Sequence, residues 1–345
     1  MSKGKIPLRS SISAHANTIT SSMFSKLTAH FPLNTPIIHA HNKKLIPCLA
    51  TSSPKAPQDL KLVTDIKLAT TNVAVLNRGV KIVVADVDAV MQMYIDAGQG
   101  DRDPYWTCIW PSSIAMAQEL LQNPDLVAGK KVADLGCGLG LGGVAAALAG
   151  ASEVVFLDRE PLALQCSLLN SLLAALPTEL DPETLSAAQA LVARGDAPAH
   201  LLEGLSSVEN KRNTADTLEA TSTCRVRAEV FDWSQPLSSL LHYFDVVLAC
   251  DVLYEAFSVE PVAKIAPQLL KLSENSDENP GIVLLADPPL RAKQNRDKFL
   301  ELLSADGFSS GGGDALGQTS ARVWEEAEKG YKHVPIEFMI LQKDV

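Results

Sequence analysis

Apolar runs of about one strand's length recur along this chain, at Lys131–Leu135, Glu153–Leu157, Arg225–Phe231, Asp245–Ala249 and Ile282–Ala286. A strand that is apolar without alternation is covered on both faces, and helices lying on each side of a sheet provide that cover. Between these runs the spacing of apolar residues predicts helices near Leu141–Leu148, Pro161–Leu176, Val259–Leu272 and Lys293–Leu303. Strands and helices in alternation build an α/β fold with a doubly wound, mainly parallel sheet. Upstream, Tyr105-Trp-Thr-Cys-Ile-Trp110-Pro111 leads into a further helix; Pro111 suits its first turn, and Trp110, Ile114, Ala117 and Leu121 share one face.

The pattern changes on either side of this alternation. From Leu60 to about Ile95, β-rich stretches such as Val73–Leu76 and Val80–Val84 flank Asn77-Arg-Gly79 and predict a β-hairpin or small sheet. Residues 58–104 are therefore expected to form an N-terminal β extension. Ile336–Leu341 is expected as a last strand, and Ser273–Asn279 reads as a solvated loop. The stretch 177–223 is far longer than a link between helix and strand requires and is rich in Ala, Ser, Thr, Glu and Asp. It is expected to be a poorly ordered insertion, with short helices at Glu183–Val192 and Ala199–Leu205.

Composition separates the first residues from the rest. The first 58 contain no Asp or Glu, yet hold 7 of the chain's 30 Lys and Arg together with many Ser and Thr. Basic, hydroxyl-rich and acid-free is the composition of an organelle transit peptide, which we expect over residues 1–57, with a disordered tail as the alternative. Scarce Arg and abundant Ser and Thr favour the chloroplast stroma, with the mitochondrion or the cytoplasm as alternatives. Without that segment 23 basic residues face 40 acidic ones, a net charge of −17. Such a body repels phosphate backbones, so nucleic acid is excluded as a partner and a protein surface is expected instead. No apolar run is long enough to span a bilayer, and a membrane partner is not expected. The six cysteines are scattered without a C-x-x-C pair, as in a reducing compartment, and the histidines beyond the leader are far apart, so no metal site is expected.

The candidate chemistry starts where the first core strand ends, at Asp134-Leu-Gly136-Cys137-Gly138-Leu-Gly140. Glycines let a backbone turn sharply and approach a ligand closely. They are ambiguous by themselves, since Gly138 to Gly143 also fits the dinucleotide pattern G-x-G-x-x-G, with Asp158 placed as a ribose-binding acid. A pyrophosphate needs no carboxylate in its cradle, however, whereas a cofactor with an ammonium or sulfonium group does, and Asp134 supplies one. Asp158 closes the second strand at the edge where ligands of open α/β sheets sit. The third strand ends in Asp232-Trp233, whose indole could stack on a purine, and the fourth in Cys250-Asp251-Val-Leu-Tyr254.

The D-x-G-x-G-x-G run resembles motif I of the class I S-adenosylmethionine methyltransferases. Together with Trp110-Pro111 before it, Asp232-Trp233 after the third strand and Asp251-x-x-Tyr254 after the fourth, it is similar to methyltransferase family 16, the seven-strand protein lysine methyltransferases, here with the leader of a plant organelle type. The resemblance spans roughly Tyr105 to Ala286. It implies a seven-stranded, Rossmann-like methyltransferase domain over residues 58–345, S-adenosyl-L-methionine as cofactor and N-methylation of a lysine in a protein substrate by a monomer. It also implies that Trp110, Gly136, Cys137, Gly138, Asp158, Trp233 and Cys250 line the cofactor, joined on the residue reading by Asp134, Gly140 and Asp232, and that Asp251 and Tyr254 define the substrate end. Methylation of a small molecule or another side chain, and a cofactor-binding module without turnover, remain the alternatives. Asp287-Pro-Pro-Leu290 is similar to the (D/N)-P-P-Y signature of amide and nucleobase nitrogen methyltransferases, but follows the fifth strand and ends in Leu. Gly307-Phe-Ser309-Ser-Gly311 fits G-x-S-x-G without the strand and helix a nucleophile elbow needs.

Overall fold

A computed structural model describes residues 66–344, apart from 77, 100, 101, 200, 202–223, 273–279, 292, 311–315 and 326–328. The expected transit peptide 1–57, the expected loop Ser273–Asn279 and most of the expected helix Ala199–Leu205 lie outside the described residues.

Strands β1 (Leu68–Val75) and β2 (Arg78–Ala85) form an antiparallel hairpin of their own, turning through Leu76 in the left-handed region (φ 54°). The expected β extension is only partly β, because helix α1 (Val87–Asp96) follows directly. Asp86 caps it by accepting a hydrogen bond from the Ala89 N–H, and Val87, Val90 and Tyr94 are buried along one face. That spacing was legible, but the β-branched residues around it masked it.

The larger sheet is built from β3 (Lys131–Leu135), β4 (Glu153–Asp158), β5 (Arg225–Val230), β6 (Val246–Cys250), β7 (Ile282–Asp287), β8 (Phe308–Ser310), β9 (Leu316–Glu325) and β10 (Gly330–Lys343). Its order is β5-β4-β3-β6-β7-β10-β8, with β9 paired to β10. The five strands β5-β4-β3-β6-β7 are parallel; β10 runs antiparallel to β7, β8 and β9. Strand order reverses at β3, and an antiparallel hairpin closes the far edge, as in the class I methyltransferase fold. The expected seven strands become eight, because β8 and β9 both border β10. The polar stretch Gln318-Thr-Ser320 shows no strand pattern of its own, and the long partner β10 supplies its ladder.

Both faces of the sheet are covered. Ala133, Leu135, Val155, Leu157, Val247, Ala249, Val283 and Leu285 point toward α6 (Val259–Leu269) and toward Phe299 and Leu303 of α7 (Lys293–Ala305). The alternate positions face α2 (Pro111–Gln122), α3 (Leu141–Leu148) and α4 (Pro161–Leu173), and the contact between α3 and β4 is close. A Cβ on Gly143 would lie 2.4 Å from Phe156 Cε1. Gly143 therefore matches the last glycine of the dinucleotide pattern for a packing reason.

The first part of the expected loose insertion is folded. Helix α5 (Pro182–Arg194) starts on Asp181, which accepts from the Glu183 and Thr184 N–H groups, and ends on left-handed Gly195. Ala188 and Leu191 are buried, Thr178 bridges to Val226, and the Arg194 guanidinium donates to the Leu68 carbonyl (3.1 Å). Caps at both ends and an apolar face outweigh a composition that reads as loop.

Candidate active site

A cavity of about 320 Å³ opens where β3, β4, β5 and β6 end, at the point where the strand order reverses. Trp110, Asp134, Gly136, Cys137, Gly138, Gly140, Asp158, Asp232, Trp233, Cys250, Asp251 and Tyr254 all line it. Parallel pairing brings them together: Leu135 is level with Leu157 and Ala249, so each following residue leaves the sheet at the same edge.

The glycine loop runs from β3 to α3. Gly136, Gly138 and Gly140 have φ of 66°, 53° and 73°, a region that side chains with a Cβ rarely adopt. Gly136 and Gly140 are also hemmed in: a Cβ would lie 2.9 Å from Val252 Cγ1 at the first, and 2.7 Å from Ser167 Oγ at the second. At Gly138 the nearest atom would be 3.5 Å away, so that glycine is required by backbone conformation rather than by crowding. Two residues of α4 hold the loop from behind. Ser167 Oγ donates to the Gly138 carbonyl (2.9 Å), and Asn170 Nδ2 donates to the Leu139 carbonyl (2.8 Å) while its Oδ1 accepts from the Val83 N–H of β2. The sequence reading missed both, although two polar residues one turn apart on an apolar helix were the visible signal.

Two buried carboxyl groups face the loop. Asp134 Oδ2 accepts from the Gly143 N–H (2.8 Å), and burial pushes its carboxyl up to about 7. Asp158 accepts from the Gly138 N–H with Oδ2 and from the Glu160 N–H with Oδ1, both at 2.9 Å, and burial raises it to about 6. An ionised carboxylate has about four acceptor positions, so each group retains capacity toward a ligand. Burial also drives the Cys137 and Cys250 thiols well above their ordinary range, which leaves them as neutral walls. Asp232 sits exposed at the rim and caps its own turn by accepting from the Ser234 N–H (2.8 Å); Trp233 packs beside Gly136.

The other end of the cavity is aromatic and acidic. Tyr105 lies edge-on to Trp110 (6.0 Å) and to Tyr254 (5.5 Å), and the Trp110 indole donates to the Tyr105 carbonyl (3.0 Å). Asp251 has φ of 58°, in the left-handed region that Asp and Asn tolerate better than most, and this turns its carboxylate back toward Ser112, whose Oγ donates to Oδ2 (3.3 Å). Arg291 pairs with Asp251 Oδ1 and lies over the Trp110 ring, 4.7 Å from its centre. Nothing in the sequence pointed to Arg291, which belongs to the loop after β7 that carries the Asp287-Pro-Pro-Leu run. That run has a structural use: the buried Arg296 pairs with Asp287 (2.9 Å) and donates to the Pro288 and Pro289 carbonyls (2.8 Å each).

A third wall comes from the segment before α2. Trp106 Nε1 donates to Tyr94 Oη (2.9 Å), Tyr94 Oη donates to Glu160 Oε2 (3.0 Å), and Arg102 pairs with the other oxygen of Glu160. Burial, with the Glu160 charge next to it, raises the Tyr94 hydroxyl to about 12. This chain of contacts fixes the lining residues Trp106 and Glu160 beside Asp158. Among the described residues no group of His, Cys, Asp and Glu is placed to hold a metal ion, and no helix is long and apolar enough to cross a membrane.

Comparison with known proteins finds partial likenesses. The family model for ribosomal protein L11 methyltransferase matches residues 113–193. The electron transfer flavoprotein beta subunit lysine methyltransferase of Danio rerio is 49% identical over 84 residues, covering 23% of this chain and 32% of that protein. The human protein of the same name is 46% identical over 68 residues, 20% of this chain and 26% of its own length. The match thus spans about a third or less of these curated relatives. Among solved structures, the branched-chain polyamine synthase of Thermus thermophilus superposes with a TM-score of 0.38 at 16% identity, covering 68% of this chain and 57% of that one. What the chain shares with the named relatives is a stretch similar to lysine methyltransferases.

Proposed function

We propose that this chain is an S-adenosylmethionine-dependent methyltransferase that methylates the ε-amine of a lysine in a protein substrate. One observation carries the reading: a single continuous cavity joins a glycine cradle with two buried carboxyls at one end to Asp251, Tyr254 and an aromatic wall at the other. The residues fit the cofactor. Asp134 offers a carboxylate for an ammonium, Asp158 one for vicinal hydroxyls, Trp233 a face for a purine, and Gly138 an approach free of side chain. When bound, the cofactor supplies an electrophilic methyl group on a sulfonium. The similarity to relatives named as lysine methyltransferases supports lysine as the nucleophile.

The chain's own work is positioning. An in-line displacement needs the amine held at one angle with water excluded, and Tyr105, Trp110 and Tyr254 wall the approach. The amine must also be neutral. From an ordinary value near 10.4 the cost at a pH of about 8 is roughly 3 kcal/mol. Asp251 favours the charged amine, so it serves to capture the side chain, while the apolar walls favour the neutral form, as would the positive charge of a bound sulfonium. Tyr254, whose own hydroxyl is raised by burial and so stays protonated, can orient the amine through its oxygen. It stands at the mouth, 38% exposed, where the released proton can pass to water.

The test uses calorimetry and mass spectrometry. Full-length protein should bind S-adenosylmethionine and S-adenosylhomocysteine, and should add about 14 Da to a lysine of a protein substrate. Electron transfer flavoprotein beta subunit is the first candidate, after the names of the relatives. Asp251→Asn keeps the left-handed backbone and should abolish transfer with cofactor affinity largely retained. Cofactor binding without transfer to any substrate would favour a silent binding module, and absence of cofactor binding would overturn the proposal.

A further inference from the structure

The group paired with Asp251 is itself a cation on an aromatic face. We propose that Arg291 selects the nucleophile by filling the amine subsite: its guanidinium, lying on Trp110 and paired with Asp251, is displaced only by a side chain that brings a positive charge of its own. This rests on the lysine reading above.

The loop that carries Arg291 has a fixed base and a free tip. Arg296 clamps Asp287, Pro288 and Pro289, whereas Leu290 is 88% exposed and the Arg291 side chain is 42% exposed. The Asp251 side chain, by contrast, is only 3% exposed, so its charge depends on protein partners rather than on water. The cation–π contact lies at the surface and is weak, so the ion pair with Asp251 is what keeps the tip in place. Its departure leaves the Asp251 carboxylate buried with only the Ser112 hydroxyl as partner unless the incoming group replaces the charge. An ammonium does so and can occupy the same Trp110 face. A hydroxyl or amide nucleophile leaves the charge uncompensated and is rejected on that account.

The experiment follows binding of n-butylammonium, a lysine side-chain analogue, by the shift of the Trp110 indole resonance, with and without saturating S-adenosylhomocysteine. Arg291→Ala should bind the probe about tenfold tighter than wild type, and n-butylguanidinium should compete with it. Arg291→Lys, which keeps the charge but not the stacking plane, should fall between the two. Adding Asp251→Asn to Arg291→Ala should erase the gain. An Arg291→Ala protein of unchanged melting temperature that binds the probe no better, or worse, overturns the proposal, because an arginine that merely positions Asp251 would lose affinity when removed. Failure of wild type to bind S-adenosylhomocysteine would instead count against the cofactor reading, while the titration of the free protein still decides the role of Arg291.

Discussion

Asp134 and Asp158 carry opposite demands. Burial favours their neutral forms, at about 7 and about 6, whereas an ammonium and a ribose diol are held best by the charged ones. Ligand binding therefore pulls both toward ionisation. Below about pH 7 it must release a proton, so affinity for S-adenosylhomocysteine is lost as pH falls through these values and levels off above them. Calorimetry from about pH 5.5 to 8.5, in buffers of different ionisation enthalpy, should show both the slope and the proton release. Asp134→Asn should flatten the upper part of the profile; a wild-type profile that is flat throughout would remove both groups from the ligand. Asp158→Ala is the harsher probe, since it also leaves the Gly138 and Glu160 N–H groups without their acceptor.

At the scale of elements, α4 works as the brace of the site. Asn170 ties the glycine loop to the N-terminal hairpin through the Leu139 carbonyl and the Val83 N–H, and Ser167 holds Gly138. Asn170→Ala strands two buried backbone groups and should cost about 2–3 kcal/mol in urea unfolding, with weaker S-adenosylhomocysteine binding as the loop loosens. Gly143→Ala acts on the opposite side of the loop, where the new methyl would run into Phe156. Its gain in helix propensity is smaller than the overpacking penalty, so the melting temperature should drop, by an amount equivalent to about 1–3 kcal/mol. The α4 pair was readable as polar residues one turn apart within an apolar helix, whereas the partners they hold come from segments far away in sequence.

Over the whole molecule, the leader should act as an address that the fold does not need. A chain beginning at Gln58 is expected to keep the melting temperature and cofactor affinity of the full chain, and a fluorescent fusion of the full chain to enter the chloroplast stroma; failure to fold defeats the first expectation and cytosolic fluorescence the second. Local information alone was enough for the parallel strands, the helices between them, the glycine loop and the D-x-x-Y run. Each of these follows from short-range periodicity, from the φ that only glycine adopts readily, or from residue types at fixed spacing. The alternation of strands and helices even implied the edge at which Asp134, Asp158 and Asp251 would meet. Tertiary structure alone decided the rest. Strand β9 exists because β10 offers it a ladder, α5 because caps and a buried face outweigh its composition, and Asp251 meets Arg291 because the β7–α7 loop, whose base Arg296 holds, reaches the end of β6. Such contacts join residues whose own neighbours in sequence say nothing of the partner, and they form only once the sheet has set the distance between its edges.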